Sequence, residues 1–183
     1  RIPGLGGEVL ERAGGTPVTL PGAELFTALQ TGAIDATEWV GPYNDLAFGL
    51  YKAAKFYYYP GWHEPGSMLE FMVNKTAFDK LPKDLQAIVR TASRAVNQDM
   101  LDEYTARNNH ALKELVEKHG VQLRAYPDDV LMKLRDLSDE VLADVASKDP
   151  MTQKVYESFK AYKQNVMEYH SLTEQAFLNA RNK

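Results

Sequence analysis

Residues 16–45, "TPVTLPGAELFTALQTGAIDATEWVGPYND", decide how the chain is read. The first six residues alternate in character between Pro17 and Pro21 and are predicted as a strand. In "GAELFTALQTG", Leu25, Phe26 and Leu29 recur at helical spacing and Gly32 supplies the stop, so a short helix is expected. "AIDATEWV" returns to two-residue alternation, with Ile34 and Ala36 on one side and Asp35 and Thr37 on the other. Gly41 and Pro42 then break the element. An acid, Glu38, and an indole, Trp39, are left side by side at its end.

Upstream, Ile2 begins a short extended segment ended by Pro3 and Gly4. "GGEVLERAGG" presents Val9, Leu10 and Ala13 as one helical face and ends at Gly14-Gly15. Strand, helix, strand, helix, strand within the first forty residues predicts an α/β fold with a parallel sheet. In such sheets ligands bind beyond the carboxyl ends of the strands, where Glu38 and Trp39 stand. Arg1 lies just ahead of the first strand.

Downstream, "YNDLAFGLYKAA" is predicted as one helix, and "KFYYYPGWHEPG" as an aromatic strand running into a Pro/Gly turn. "SMLEFMVNKTAF" reads as another strand, alternating through Leu69, Phe71 and Val73. From Pro82 to about His119 the apolar period is helical, through Leu85, Ile88, Val89, Ala92, Val96, Met100, Leu101, Tyr104, Ala111, Leu112 and Leu115. An average helix has about 11–12 residues. One of this length exceeds a compact lobe, and a helix spanning two lobes accounts for it. Gly120 closes it, "VQLRAYP" is a short strand, and Asp128-Asp129 open a helix from about Val130 to Ala146. After Pro150 a last helix carries Val155, Phe159, Tyr162, Val166, Tyr169 and Thr173 at heptad spacing. An ordinary packing face and a partner helix in a dimer both fit so short a seam.

With 183 residues, 44% hydrophobic and 25% charged, the chain is globular in composition, one domain or part of a larger one. The net charge is −4 and basic residues are scattered among acids, which offers nothing to nucleic acid or an anionic membrane. The absence of cysteine excludes a disulfide framework, a Cys-ligated zinc and a thiol nucleophile. No apolar run approaches the ~18 residues of a membrane span. No signal peptide is seen, and the chain opens on Arg1 at the start of a strand, so a processed piece or fragment is expected.

"PGWHEPG", residues 60–66, repeats the theme of Glu38-Trp39, enclosing Trp62, His63 and Glu64 in turn residues. If both corners face one cleft, they form a small acidic, aromatic pocket. A carboxylate is a hard ligand suited to Ca²⁺, Mg²⁺ or Na⁺, and an indole is an apolar wall. A surface Glu beside a core Trp is the alternative at each corner. There is no HExxH or Ser-His-Asp grouping, and "GLGG" lacks a dinucleotide fingerprint. His110, His119 and His170 are expected to be exposed helix residues.

Together, "RIPGLGGEVLERAGGTPVTLPGAELFTALQTGAIDATEWVGPYND" and "YYYPGWHEPGSMLEFMVNKTAFDKLPKDLQ" resemble the solute-binding proteins of TRAP (tripartite ATP-independent periplasmic) transporters, nearest the branch that binds 2-oxo acids or lactate with a metal. The resemblance implies a periplasmic-binding-protein-like two-lobe fold, here lacking most of the N-terminal lobe, with a long lobe-spanning helix and a C-terminal helix. By this likeness residues 1–66 are the second-lobe βαβ portion. Residues 67–105 are a hinge strand, a returning first-lobe segment and the start of the long helix. Residues 106–150 complete that helix and the second lobe, and 151–183 form the C-terminal helix, available for a homodimer contact.

The resemblance further implies that Arg1 binds the substrate carboxylate, that Glu38 and the Trp39 carbonyl ligate Na⁺ or Ca²⁺, and that Glu64 touches the metal or a ligand oxygen. Trp62 and His63 would line the pocket with Trp39. The implied role is periplasmic capture of a small monocarboxylate, such as pyruvate or lactate, and delivery to TRAP membrane subunits, without chemistry and without an organic cofactor. Two other classes compete with it: a metal-dependent lyase or hydrolase using Glu38, His63 and Glu64, and a helical interaction module acting through Val155–Thr173.

Overall fold

A computed structural model describes residues 1–66 and 70–181. The first helix, α1 (Gly4–Arg12), follows directly on Pro3. A 3₁₀ turn at Gly22–Glu24 leads into α2 (Leu25–Thr31), which Gly32 ends at φ 73°, a left-handed backbone that glycine adopts without a Cβ clash. Pro42 opens α3 (Pro42–Ala47) at the position where its missing N–H costs nothing. The predicted helix over 43–54 stops at Ala47, because Gly49 turns left-handed before a 3₁₀ turn at Leu50–Lys52.

Strand β1 (Phe56–Tyr59) pairs in parallel with β2 (Gln122–Ala125), Phe56 opposite Gln122 through Tyr59 opposite Ala125. Between them lie α4 (Lys75–Asp79), capped by the Asn74 side chain, and α5 (Lys83–Glu117). As predicted, α5 is continuous; its 35 residues extend about 52 Å at 1.5 Å each. Then come α6 (Asp128–Ala146), α7 (Pro150–Leu172) and α8 (Glu174–Arg181). Asp149 caps α7 by accepting from the Met151 and Thr152 amides at 2.8 and 2.9 Å.

The three strands predicted within the first forty residues are not ladders. Their segments do lie side by side: Ile2 N–H donates to Val18 O at 3.2 Å, Arg1 N to Ala36 O, and Glu38 N–H to Arg1 O at 3.2 Å. Residue 1 bonding to 36 and 38 is the pattern of a parallel pair. The middle segment contributes only Arg1 and Ile2 before Pro3 and α1, too few bonds for a strand. Glu70–Asn74 is likewise not a strand, and Phe71 and Met72 are exposed; the rest of that prediction, residues 67–69, lies outside the described residues.

Two apolar clusters hold this arrangement. Leu25, Ala28, Ile34 and Leu50 form one, with Val18, Leu20 and Trp39 against it. Val9, Leu134 and Val141 form the other, joining α1 to α6 with Trp62 at its edge. Arg12 reinforces the second by pairing with Asp144 at 2.5 Å. Along α5 burial is uneven: Leu115 is 2% exposed and Ile88 60%. His119, expected in solvent, instead stacks on Tyr51 with centroids 3.9 Å apart, whereas His110 and His170 are exposed. Among the described residues, no helix is long and apolar enough to cross a membrane.

Candidate functional site

The bonds that align residues 1, 18 and 36–38 bring Arg1 and Glu38 together. The Arg1 guanidinium pairs with Glu38 Oε1 through Nη1, and its Nε donates to Leu20 O at 3.2 Å. Both side chains are largely buried. An ion pair removed from water in this way holds each charge only while the other is present. The guanidinium also lies 5.7 Å from the centroid of the Trp39 ring, a cation–π contact.

The second corner arrives from β1. His63 Nε2 stands 3.7 Å from Glu38 Oε2. One potential ligand atom from each of Glu38, His63 and Glu64 lies within 4.8 Å of the others. The two Glu-plus-indole corners of the sequence therefore meet. Glu38 and His63 are mostly sheltered and Glu64 is exposed, so the cluster opens to solvent on the Glu64 side.

A Ca²⁺-sized ion with oxygens at about 2.3–2.6 Å places ligand atoms up to about 5 Å apart, which matches this span. Glu38 and Glu64 supply the hard oxygens that Na⁺ or Ca²⁺ prefer. The His63 imidazole suits a transition metal better, and its Nδ1 is buried without a hydrogen-bond partner among the described residues. The donor set thus fits a hard cation through its two carboxylates.

Both indoles point their bulk into the cores. The Trp39 ring packs so closely on Gly22 that a Cβ there would sit 2.5 Å from it, and it lies 4.9 Å from Phe48, centroid to centroid. Trp62 packs on the cluster of Val9, Leu134 and Val141, with its ring 5.2 Å from that of His63. Each indole anchors its loop to a different core while meeting a member of the site, Arg1 for Trp39 and His63 for Trp62.

The sequence reading missed Asp45. It is only 7% exposed, and Tyr57 Oη donates to its Oδ2 at 2.5 Å. Its Oδ1 accepts long bonds, 3.4 Å each, from Val40 and Gly41 N–H. Burial pushes the Asp45 carboxyl above its usual range, against the pull of those three donors. Burial, then the Asp45 charge, pushes the Tyr57 hydroxyl up as well. From α5, Asn108 Oδ1 accepts from Tyr43 N–H at 2.9 Å. An acid in the first turn after Gly-Pro was the available signal, since such acids reach back to free amides at a helix start.

The model of the family described as bacterial extracellular solute-binding protein, family 7, matches residues 1–149. A monocarboxylate 2-oxoacid-binding periplasmic protein of Nostoc sp. (strain PCC 7120) is 44% identical over 179 residues, 98% of this chain and 49% of that protein. Among solved structures, a TRAP periplasmic solute-binding protein from Pseudoalteromonas atlantica T6c, with bound sodium and pyruvate, is 44% identical with a TM-score of 0.90. The match covers 98% of this chain and 54% of that one. A TRAP transporter solute-binding protein from Bordetella bronchiseptica RB50, a dimer of mixed occupancy with calcium and picolinate in its bound site, is 33% identical with a TM-score of 0.93. That match covers 98% of this chain and 53% of the other. The chain spans about half the length of the relatives it matches.

Proposed function

The chain belongs to the bacterial extracellular solute-binding proteins of family 7, and on that premise we propose that it carries part of a periplasmic site that captures a small 2-oxo monocarboxylate together with Na⁺ or Ca²⁺. The role is transport without catalysis, with delivery to the membrane subunits of a TRAP transporter. The relative with bound sodium and pyruvate supports pyruvate and its near analogues as the substrates of this site.

The observation that carries this reading is the sheltered pair of opposite charges, Arg1 and Glu38, with Glu64 beside it. Arg1 offers the planar, two-pronged donor that suits a carboxylate. Glu38, the Trp39 carbonyl and Glu64 would hold the cation, which neutralises the acids and polarises the ligand oxygens. His63 and Trp62 border the same space. In the chain as it stands Arg1 and Glu38 satisfy each other. A carboxylate and a cation entering together keep every charge paired, whereas either alone leaves a sheltered charge without its counterpart. Binding of the two is therefore cooperative.

The lobe assignment of the sequence reading fits this use, with residues 1–66 and 106–150 as the site-bearing lobe. The first part of α5 and residues before it would belong to the other lobe. A homodimer through α7 is supported by its exposed Val155, Phe159, Tyr162 and Tyr169 and by a groove of about 610 Å³ against α6. The Bordetella relative is itself described as a dimer.

Calorimetric titration of the full-length protein with pyruvate, in calcium and then in chelator, tests the site. Saturable binding that weakens in chelator, is lost in Glu38→Gln and returns pyruvate unchanged is expected. Pyruvate binding by Glu38→Gln as tight and as cation-dependent as that of wild type would overturn the cation-bridged site, and turnover of pyruvate would overturn the transport role.

A further inference from the structure

The site consists of two loops far apart in sequence, and one side chain outside it touches the support of both. Glu38 and Trp39 lead into the turn at Val40 and Gly41, whose amides face Asp45 Oδ1. Trp62, His63 and Glu64 follow β1, whose Tyr57 donates its hydroxyl to Asp45 Oδ2 at 2.5 Å. Asp45 is buried and reaches neither Glu38 nor His63 by any hydrogen bond or ion pair described for it. It spans the two supports instead.

We infer that Asp45 and Tyr57 are positioning residues that set the separation of the Glu38 loop from the His63–Glu64 loop and thereby tune cation affinity. The inference rests on the carboxylate–cation site proposed above. The geometry explains why a carboxyl is kept in an apolar setting, where an unpaired acid is costly. An apolar residue at 45 would pack as well but would release two amides and a phenol. A site whose ligand atoms must agree to within about half an ångström depends on such outer groups. A short bond to a carboxylate is stiffer than a neutral one and transmits displacement of β1 directly to the turn. Asn108, bonded to Tyr43 N–H, holds the first turn of α3 from the α5 side, so the turn cannot relax simply by sliding the helix.

The test uses Tyr57→Phe, which removes one oxygen, with Tyr58→Phe as control, because Tyr58 is exposed and packs on Tyr126 instead. Calcium midpoints for pyruvate binding are measured by calorimetry on the full-length protein, beside melting temperatures. Tyr57→Phe should shift the calcium midpoint about tenfold, at the low end for outer groups that orient metal ligands. Tyr58→Phe should not shift it. Asp45→Asn, which can still accept from the amides and present an N–H to Tyr57, should recover most of the affinity that Asp45→Ala loses. A folded Tyr57→Phe protein with a lowered melting temperature but an unchanged calcium midpoint overturns the inference and leaves a structural bond only. A wild-type protein that binds no pyruvate with calcium overturns the site reading and, with it, this one.

Discussion

The two ends of α5 carry the same kind of sequence and meet different fates. From Lys83 to about Thr105 the helix shows Ile88, Val96 and Leu101 to solvent. From Ala106 to Glu117 it buries Ala111 and Leu115, and Asn108 reaches the first turn of α3. Tyr104, at the junction, meets Tyr43 edge-to-face at 5.9 Å. Apolar periodicity marks a face able to pack; it does not say what packs there. The covered end is the one that braces the site loop, so the comparison also separates the part of α5 that matters for ligand from the part whose face is open in this chain.

The largest expected effect is at the covered end. Leu115→Ala should cost about 2–5 kcal/mol in equilibrium unfolding, the range for a truncated core leucine. A smaller loss would mean that α5 is loosely seated there as well. Asn108→Ala should cost about 0.5–1.5 kcal/mol for its hydrogen bond. It should also weaken pyruvate binding in calcium, because the Tyr43 amide lies just beyond the Glu38 turn; unchanged affinity would detach α5 from the site.

A pH experiment sharpens the same end. The folded chain holds the Asp45 proton above the ordinary value of 3.8, so in that window it binds more protons than the unfolded chain. The stability of wild type relative to Asp45→Asn should therefore fall as pH rises from about 4, followed by paired thermal melts. A difference that does not move with pH would refute the raised carboxyl.

At the junction, Arg107 and Glu103 pair at 2.6 Å on an exposed surface. Their coupling in a double-mutant cycle should be only about 0.3–0.5 kcal/mol and should fade with salt. Smallest is the open end: Ile88→Ala in the 183-residue chain should change stability by no more than about 0.5 kcal/mol. A loss comparable to Leu115→Ala would break the comparison by showing that this face is covered in solution, and sedimentation would show whether a second copy covers it.

Much of the helical framework was legible because its signals are local. Pro82 and Gly120 bracket α5, Gly32 stops α2, and Gly41-Pro42 starts α3. The residues of the candidate site were legible by type and corner, Glu38 with Trp39 and His63 with Glu64. The sheet over the first forty residues was overread, because alternation in 16–21 and 33–40 specifies extended chain, whereas a ladder needs a long enough partner. Nor did alternation reveal that Phe71 and Met72 would lie exposed outside any strand.

What the sequence determined by itself is the inventory: which segments coil, where they stop, and which charged and aromatic groups end up at the stops. Propensity, capping and turn chemistry act over a few residues, so they can be read along the chain. Only the tertiary structure decided that Arg1 meets Glu38, that Glu38 and His63 share one sheltered space, and that Asp45 ties the supports of both loops through Tyr57. Those contacts join positions between 12 and 37 residues apart. They exist because Leu25, Ile34 and Leu50 on one side, and Val9, Leu134 and Val141 on the other, pull the loops together when they leave water.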